Sequence, residues 1–130
     1  MINRTLIFSL FASLALLGAC NNPSQVIEPK IQSTVISGFP KLDTTRTYVG
    51  LAYRGPTSNP ESLLTVLTKA GIYFSQAILP AYDGPCMRME IATLTVELKN
   101  NDTRITQYGF EPGVGGPQCS VHFVKYTLAY

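Results

Sequence analysis

The sequence predicts an α+β domain in which one helix packs against a mainly antiparallel sheet of about five to six strands. Segments rich in Thr, Val, Ile and Tyr recur along the chain, separated by turns that contain Gly, Pro and Asn, as is typical of short strands. One segment, between Asn59 and Gly71, carries helix signals instead. A small all-β barrel or sandwich is the alternative fold.

Two strands are predicted before the helix. The first covers 31–37, where the residues alternate, and Gly38-Phe39-Pro40 follows it as a turn. The second covers 46–54, which is rich in Thr, Tyr and Val. Because side chains alternate along a strand, four residues of this segment share one face: Thr47, Val49, Leu51 and Tyr53.

A helix is predicted over 60–70. Asn59 is suited to cap its first turn, Pro60 fits the first helical position, and Gly71 fits the stop. The apolar residues that fall on one side at helical spacing are Leu63, Leu64, Leu67 and Ala70.

Four further strands are predicted after the helix, over 72–79, 86–98, 103–110 and 119–128. The segment 103–110 is expected to return as the hairpin partner of 86–98 after the turn at 99–102. Within 86–98, the residues expected to face the core are Ala92, Leu94, Val96 and Leu98. Those expected to face outward are Thr93, Thr95 and Glu97.

The N-terminal twenty residues have the pattern of an export signal. Arg4 is the only charge, and the uncharged, mostly apolar stretch from Thr5 to Ala19 is shorter than the roughly 20 residues of a membrane-spanning helix. Leu17-Gly18-Ala19-Cys20 resembles the lipobox of bacterial lipoproteins. The resemblance implies a signal peptide over 1–19 and lipid attachment at Cys20. An ordinary secretory signal is the alternative.

If this interpretation holds, 20–30 is a lipidated tether and 31–130 is a single globular domain. The domain is expected in the cell envelope, facing the periplasm or the exterior. Asn21 stands where lipoproteins retained at the inner membrane often carry Asp, so the outer membrane is mildly favoured.

Removal of Cys20 leaves Cys86 and Cys119. Outside the cytoplasm, an even pair of cysteines is typical of a disulfide. Each cysteine follows a Gly-Pro turn and starts a predicted strand, so in a three-strand meander both lie at one end of the sheet. A metal pair or a redox couple is the alternative, although there is no Cys-x-x-Cys motif and His122 is the only histidine.

The charge pattern excludes an electrostatic nucleic-acid binder. The chain has ten Lys and Arg and eight Asp and Glu, and removal of Arg4 with the signal leaves a net charge near +1. No basic stripe that would neutralise phosphates is visible in the sequence.

Motifs for catalysis, cofactors or metals are absent from the sequence: there is no Walker loop, nucleophile elbow or zinc-protease motif. His122 and Ser120 share a face of one predicted strand, which is the weakest of the functional hypotheses. The sequence therefore predicts a protein that is not an enzyme.

Aromatic and acidic residues beside two turns predict a possible binding rim. If the disulfide forms, the turn that carries Tyr82, Asp83 and Met87 approaches the turn that carries Tyr108, Phe110 and Glu111. The alternative interpretation is that these Tyr and Phe residues pack the core.

The expected function is a non-enzymatic binding or structural role for a protein or cell-wall partner. Two alternatives are an anchored inhibitor of an external hydrolase, acting through the loop 111–118, and a carrier of an apolar small molecule.

Overall fold

In the described part of the chain, six strands form one sheet. The computed structural model describes residues 27–54, 59–88, 91–115 and 119–130. The strands are β1 (Lys30–Ser37), β2 (Thr47–Arg54), β3 (Phe74–Pro80), β4 (Ile91–Leu98), β5 (Glu111–Pro112) and β6 (His122–Ala129). The predicted signal peptide, Cys20 and the first part of the tether lie outside the described residues.

One α-helix, α1 (Pro60–Lys69), packs against the sheet, and this confirms the α+β class over the all-β alternative. Two short 3₁₀ helices, Gly84–Cys86 and Thr103–Tyr108, complete the elements of the described residues. Within this part of the chain no helix is both long and apolar enough to cross a membrane.

The ends of α1 follow the sequence signals. Asn59 Oδ1 accepts a hydrogen bond from the Glu61 N–H at 2.9 Å, which satisfies one of the donors left free in the first turn. At the other end Gly71 has φ +78° and its N–H donates to Thr68 O, while the Ile72 N–H donates to Leu67 O. This pair of bonds is the Schellman arrangement, which requires a residue tolerant of positive φ.

The order of the strands is β1-β6-β3-β4-β2-β5, and all neighbours are antiparallel. Since β2 and β3 are both antiparallel to β4, they run in the same direction with β4 between them. β1, β2 and β3 therefore start at one end of the sheet, which we call the Lys30 end. β4 and β6 start at the opposite end, which we call the disulfide end.

The main core lies between α1 and one face of the sheet. The four β4 residues predicted to face inward do so, each at most 3% exposed, and this prediction is confirmed. Leu64 and Leu67 of α1 are fully buried against them. Ile105 and Phe110 extend the same cluster beyond the helix.

The prediction that Thr95 and Glu97 face solvent is wrong, because they are only 0% and 7% exposed. The chain after β5 crosses this second face of the sheet. Thr95 Oγ1 donates to Gly115 O at 2.7 Å, and a Cβ at Gly115 would lie only 2.7 Å from Thr93 Cγ2. β4 is therefore covered on both faces over much of its length.

The predicted hairpin between 86–98 and 103–110 is also wrong. β4 starts only at Ile91 and pairs with β2 and β3, while Thr103–Tyr108 forms a 3₁₀ helix. Asp102 accepts a hydrogen bond from the Arg104 N–H at 3.1 Å and so caps this helix. Its apolar residues, Ile105 and Tyr108, are three apart, a spacing that suits the three-residue turn of a 3₁₀ helix.

Candidate functional site

The disulfide between Cys86 and Cys119 braces one end of the sheet. Their Cα atoms are 5.6 Å apart, within the usual range, and Cys86 is fully buried. The pairing predicted from the sequence is confirmed, but the meander that motivated it is not, since β3 lies between β4 and β6. The two cysteines meet because β4 and β6 run in the same direction and start at the same end.

Asp83 links the turn that contains Cys86 to the start of β6 through hydrogen bonds. Its Oδ1 accepts hydrogen bonds from the backbone N–H groups of Val121, at 2.7 Å, and His122, at 3.0 Å. Its Oδ2 contacts Nδ1 of the His122 ring. The backbone hydrogen bond from His122, followed by the ring contact and the bond from Val121, lowers the pKa of the Asp83 carboxyl below its ordinary value.

Tyr82 supports this turn from the core side. It has φ +57°, a conformation that non-glycine residues seldom adopt and that surrounding contacts must hold. Its hydroxyl donates to the backbone oxygen of Tyr53 at 3.4 Å, and its ring packs against the main core. Tyr82 therefore supports the turn from the core side, and its side chain is only partly exposed.

Two aliphatic side chains project from the braced end. Met87 is 72% exposed and Val121 is 51% exposed. Val121 lies directly over Gly84, where an added Cβ would be 2.9 Å from Val121 Cγ2, so Gly84 allows this close approach. We call the group Asp83, Met87, Val121 and His122 the disulfide-end surface.

The chemistry available at this surface is an oriented imidazole beside a carboxylate. The His122 side chain is 47% exposed and that of Asp83 is 31% exposed. Ser120 Oγ is buried and has no hydrogen-bond partner among the described residues, so it is not bonded to His122. An acid–base pair is thus present without an attached nucleophile. In the described ranges no three His, Cys, Asp or Glu residues are grouped to hold a metal ion.

The predicted rim does not form one surface. Phe110 is only 2% exposed and belongs to the main core, so its assignment to a binding rim is wrong. Tyr108 is partly buried against the same core. Glu111 pairs with Gly50 in β2. β3 and β4 lie between β2 and β6, so β2 is three strand spacings, about 14 Å, from β6. Only Asp83 and Tyr82 of the predicted set belong to the disulfide end.

A buried carboxylate that sequence reasoning missed lies on the second face of the sheet. Glu97 Oε1 accepts from Ser75 Oγ at 2.5 Å, and Oε2 accepts from the Tyr48 hydroxyl at 2.6 Å and from Gln76 Nε2 at 2.9 Å. Arg46 Nε is 4.0 Å from Oε1. Four partners from β2, β3 and the segment before β2 therefore converge on one side chain.

The protonation of this cluster follows from its contacts. Burial alone raises the pKa of Glu97, but the hydrogen bonds from Ser75, Tyr48 and Gln76 and the charge of Arg46 outweigh it and hold the pKa below its ordinary value. Burial and the hydrogen bond to Glu97 raise the pKa of Tyr48 to about 12. Because both carboxylate oxygens of Glu97 accept hydrogen bonds, the cluster links β4 to β2 and β3.

Three cavities lined by described residues are small for a small-molecule site. One of 210 Å³ lies between Ile27, α1 and Tyr130, and one of 260 Å³ lies beside Gly113 on the second face. A third, of 130 Å³, lies between β2 and the second 3₁₀ helix. Each is smaller than the roughly 300 Å³ at which ligand pockets usually begin.

The geometry defines the class of protein as a small antiparallel α+β domain with a disulfide-braced end. The chain matches no protein-family model, no curated protein and no solved structure.

Proposed function

We propose that this protein is a bacterial envelope lipoprotein that is anchored through Cys20 and binds a protein partner, without catalysis, through the disulfide-end surface. The observation that carries the binding role is the pair of exposed aliphatic side chains, Met87 and Val121, on a rigid, disulfide-braced turn. The outer membrane is the favoured location, on the ground of Asn21.

The path of the chain favours this surface as the one presented to a partner. β1 begins at Lys30, ten residues after Cys20, at the Lys30 end of the sheet. A strand of eight residues extends about 26 Å, so the disulfide end is that much farther along the strands from the tether. An anchor at Cys20 therefore joins the domain at the end of the sheet opposite the disulfide-end surface.

The chemistry of the disulfide-end surface suits a protein partner better than a cell-wall polymer. Met is enriched at protein interfaces, where apolar side chains at the centre are surrounded by polar groups at the rim. Here Met87 and Val121 provide the apolar centre, and Asp83 and His122 provide the polar rim. The disulfide and the Asp83 hydrogen bonds fix the surface beforehand, which lowers the entropy lost on binding.

The other hypotheses receive less support. An inhibitor acting through 111–118 would depend on the exposed residues Glu111 and Val114, because the aromatic Phe110 beside the loop is buried. A carrier of an apolar molecule needs a larger cavity than the three described above. Catalysis by Ser120 and His122 needs a hydrogen bond between them that Ser120 Oγ does not make.

The anchor is tested by replacing one thiol. In a bacterial host, Cys20→Ser is expected to abolish lipid labelling and to leave the chain with its signal uncut. The mass of the mature wild-type protein should show the lipid on residue 20. Cys119→Ser, which keeps Cys20, is the control and should retain the label. Equal lipid labelling of the Cys20→Ser chain would contradict the anchor.

The binding surface is tested by placing a photo-crosslinking residue at position 121 in the native envelope. Val66 on α1 is a matched control, since it is 48% exposed against 51% for Val121. We expect one discrete crosslinked protein from position 121, absent from position 66 and lost in a Met87→Lys background. The same products from both positions would refute the disulfide-end surface as the binding site and would leave the anchor untouched.

A further inference from the structure

The two edges of the sheet are protected to different degrees. β5 covers one edge with only two residues, one of them Pro112, which has no N–H to offer. Very short strands and prolines are common devices against the addition of a further strand. β1, at the other edge, has eight residues and pairs only with β6 among the described residues.

The composition of β1 also leaves this edge open. From Ile31 to Ser37 there is no charge, no proline and no glycine. Val35, on the face that α1 covers elsewhere, is 66% exposed. Uncharged edges with alternating apolar residues are those to which other strands add most readily.

The ladder with β6 fixes which backbone groups point outward. The Gly38 N–H donates to Val121 O at 2.8 Å, and these residues lie opposite each other one step beyond the Ser37–His122 pair. Because hydrogen-bonded and non-bonded pairs alternate in an antiparallel ladder, the even-numbered residues of β1 bond to β6. The N–H and C=O groups directed to the open edge belong to Ile31, Ser33, Val35 and Ser37.

We propose that β1 pairs with β1 of a second copy of this chain, antiparallel and centred on Ser33. In this register Ser33 lies opposite Ser33 of the second copy, Ile31 lies opposite Val35, and Gln32 lies opposite Thr34. Residues that lie opposite each other point to the same face of a sheet. The two domains therefore form one continuous sheet with both α1 helices on the same face.

The match between the two copies favours this occupant and this register. Ile31 meets Val35 beside the helices and Gln32 meets Thr34 on the second face, while Lys30 lies opposite Ile36 at each end of the pair. A register centred on Thr34 would instead set Ser33 against Val35 and Gln32 against Ile36. The absence of charge from Ile31 to Ser37 removes repulsion between two identical strands. About six main-chain hydrogen bonds form across the new pair, from Ile31, Ser33 and Val35 of each copy.

The register is tested by single cysteines in the full mature protein, oxidised and then separated without reductant. Ser33→Cys places two thiols directly opposite each other at strand spacing, within reach of a disulfide. Gln32→Cys is the matched control, because Gln32 is exposed like Ser33. In this register residue 32 of one copy lies diagonally about 8 Å from residue 32 of the other, which is too far for a disulfide. We expect covalent dimers from Ser33→Cys, few from Gln32→Cys, and dimers again when Gln32→Cys is mixed with Thr34→Cys.

A second variant separates specific pairing from collision. Val35→Lys adds a charge to the open edge and should abolish the dimer of Ser33→Cys, whereas Val66→Lys on α1 should not. In each variant, an intact Cys86–Cys119 disulfide and an unchanged circular dichroism spectrum show that the domain is folded. Equal crosslinking at 32, 33 and 34, strongest crosslinking at 34, or none at 33 in the folded protein would overturn the proposal. The comparison among positions 32, 33 and 34 does not depend on the disulfide-end surface.

Discussion

Replacing both Cys86 and Cys119 with serine is expected to lower the free energy of unfolding by about 3.7 kcal/mol. The disulfide closes a loop with a sequence separation of 33 residues, and the loss follows from the added freedom of the unfolded chain without that crosslink. Urea denaturation of the double variant and of the oxidised wild type measures the difference. The wild type under reducing conditions is the control and should approach the variant.

The same substitution should loosen one end of the domain more than the middle. Asp83 still joins the turn to Val121 and His122, so the contact is weakened and not lost. Amide hydrogen exchange is expected to accelerate at residues 121 and 122 by more than the global change, and at Leu94 only by the global change. A loss below about 1 kcal/mol would contradict the expected contribution of the disulfide and would show that other contacts, including the Asp83 hydrogen bonds, hold this end.

Glu97→Ala is expected to lower the free energy of unfolding by about 3 kcal/mol. Ser75, Tyr48 and Gln76 all donate to this carboxylate, and removal of a buried charged partner leaves such donors unsatisfied. Glu97→Gln keeps an acceptor and should cost less. Denaturation of both variants at neutral pH gives the comparison, with Glu111→Gln as the exposed control.

The contribution of Glu97 is also expected to depend on pH. Its pKa in the folded protein lies below the ordinary 4.5, so the unfolded chain binds the proton more readily between the two values. Stability is therefore full above pH 4.5 and is lost as the pH falls through the lower, folded-state pKa. The difference between the wild type and Glu97→Gln should shrink over that interval. A constant difference from neutral pH to pH 3 would contradict the assignment.

The parts of the fold predicted from sequence are those that local chemistry determines. Asn59, Pro60 and Gly71 bound the helix because capping and positive φ act within a few residues. The alternation in β4 predicted its core face correctly for the same reason. Thr95 is covered on the other face by the chain at Gly115, and Glu97 by Tyr48, Ser75 and Gln76. Because these partners are distant in sequence, the burial of Thr95 and Glu97 could not be predicted.

The candidate site was predictable only in part. The cysteine pair was predictable from the even number of cysteines left after Cys20 and from the expected location outside the cytoplasm, without knowledge of strand order. The contact between Asp83 and His122 spans 39 residues and depends on β3 lying between β4 and β6, for which no local pattern exists. The sequence could not decide between the rim and the core for Phe110, because an aromatic residue beside a turn has the same local pattern whether it is buried or exposed.

The pairing of the first strand with the last affects how the domain is completed. Lys30 lies opposite Ala129, and β6 is bonded to both β1 and β3. A chain synthesised from its N-terminus therefore cannot pair β1 until residues 122–129 have emerged, since contacts of such long separation form late. Until β6 is present, β1 and β3 have no strand between them, so the sheet is completed only when this strand is added.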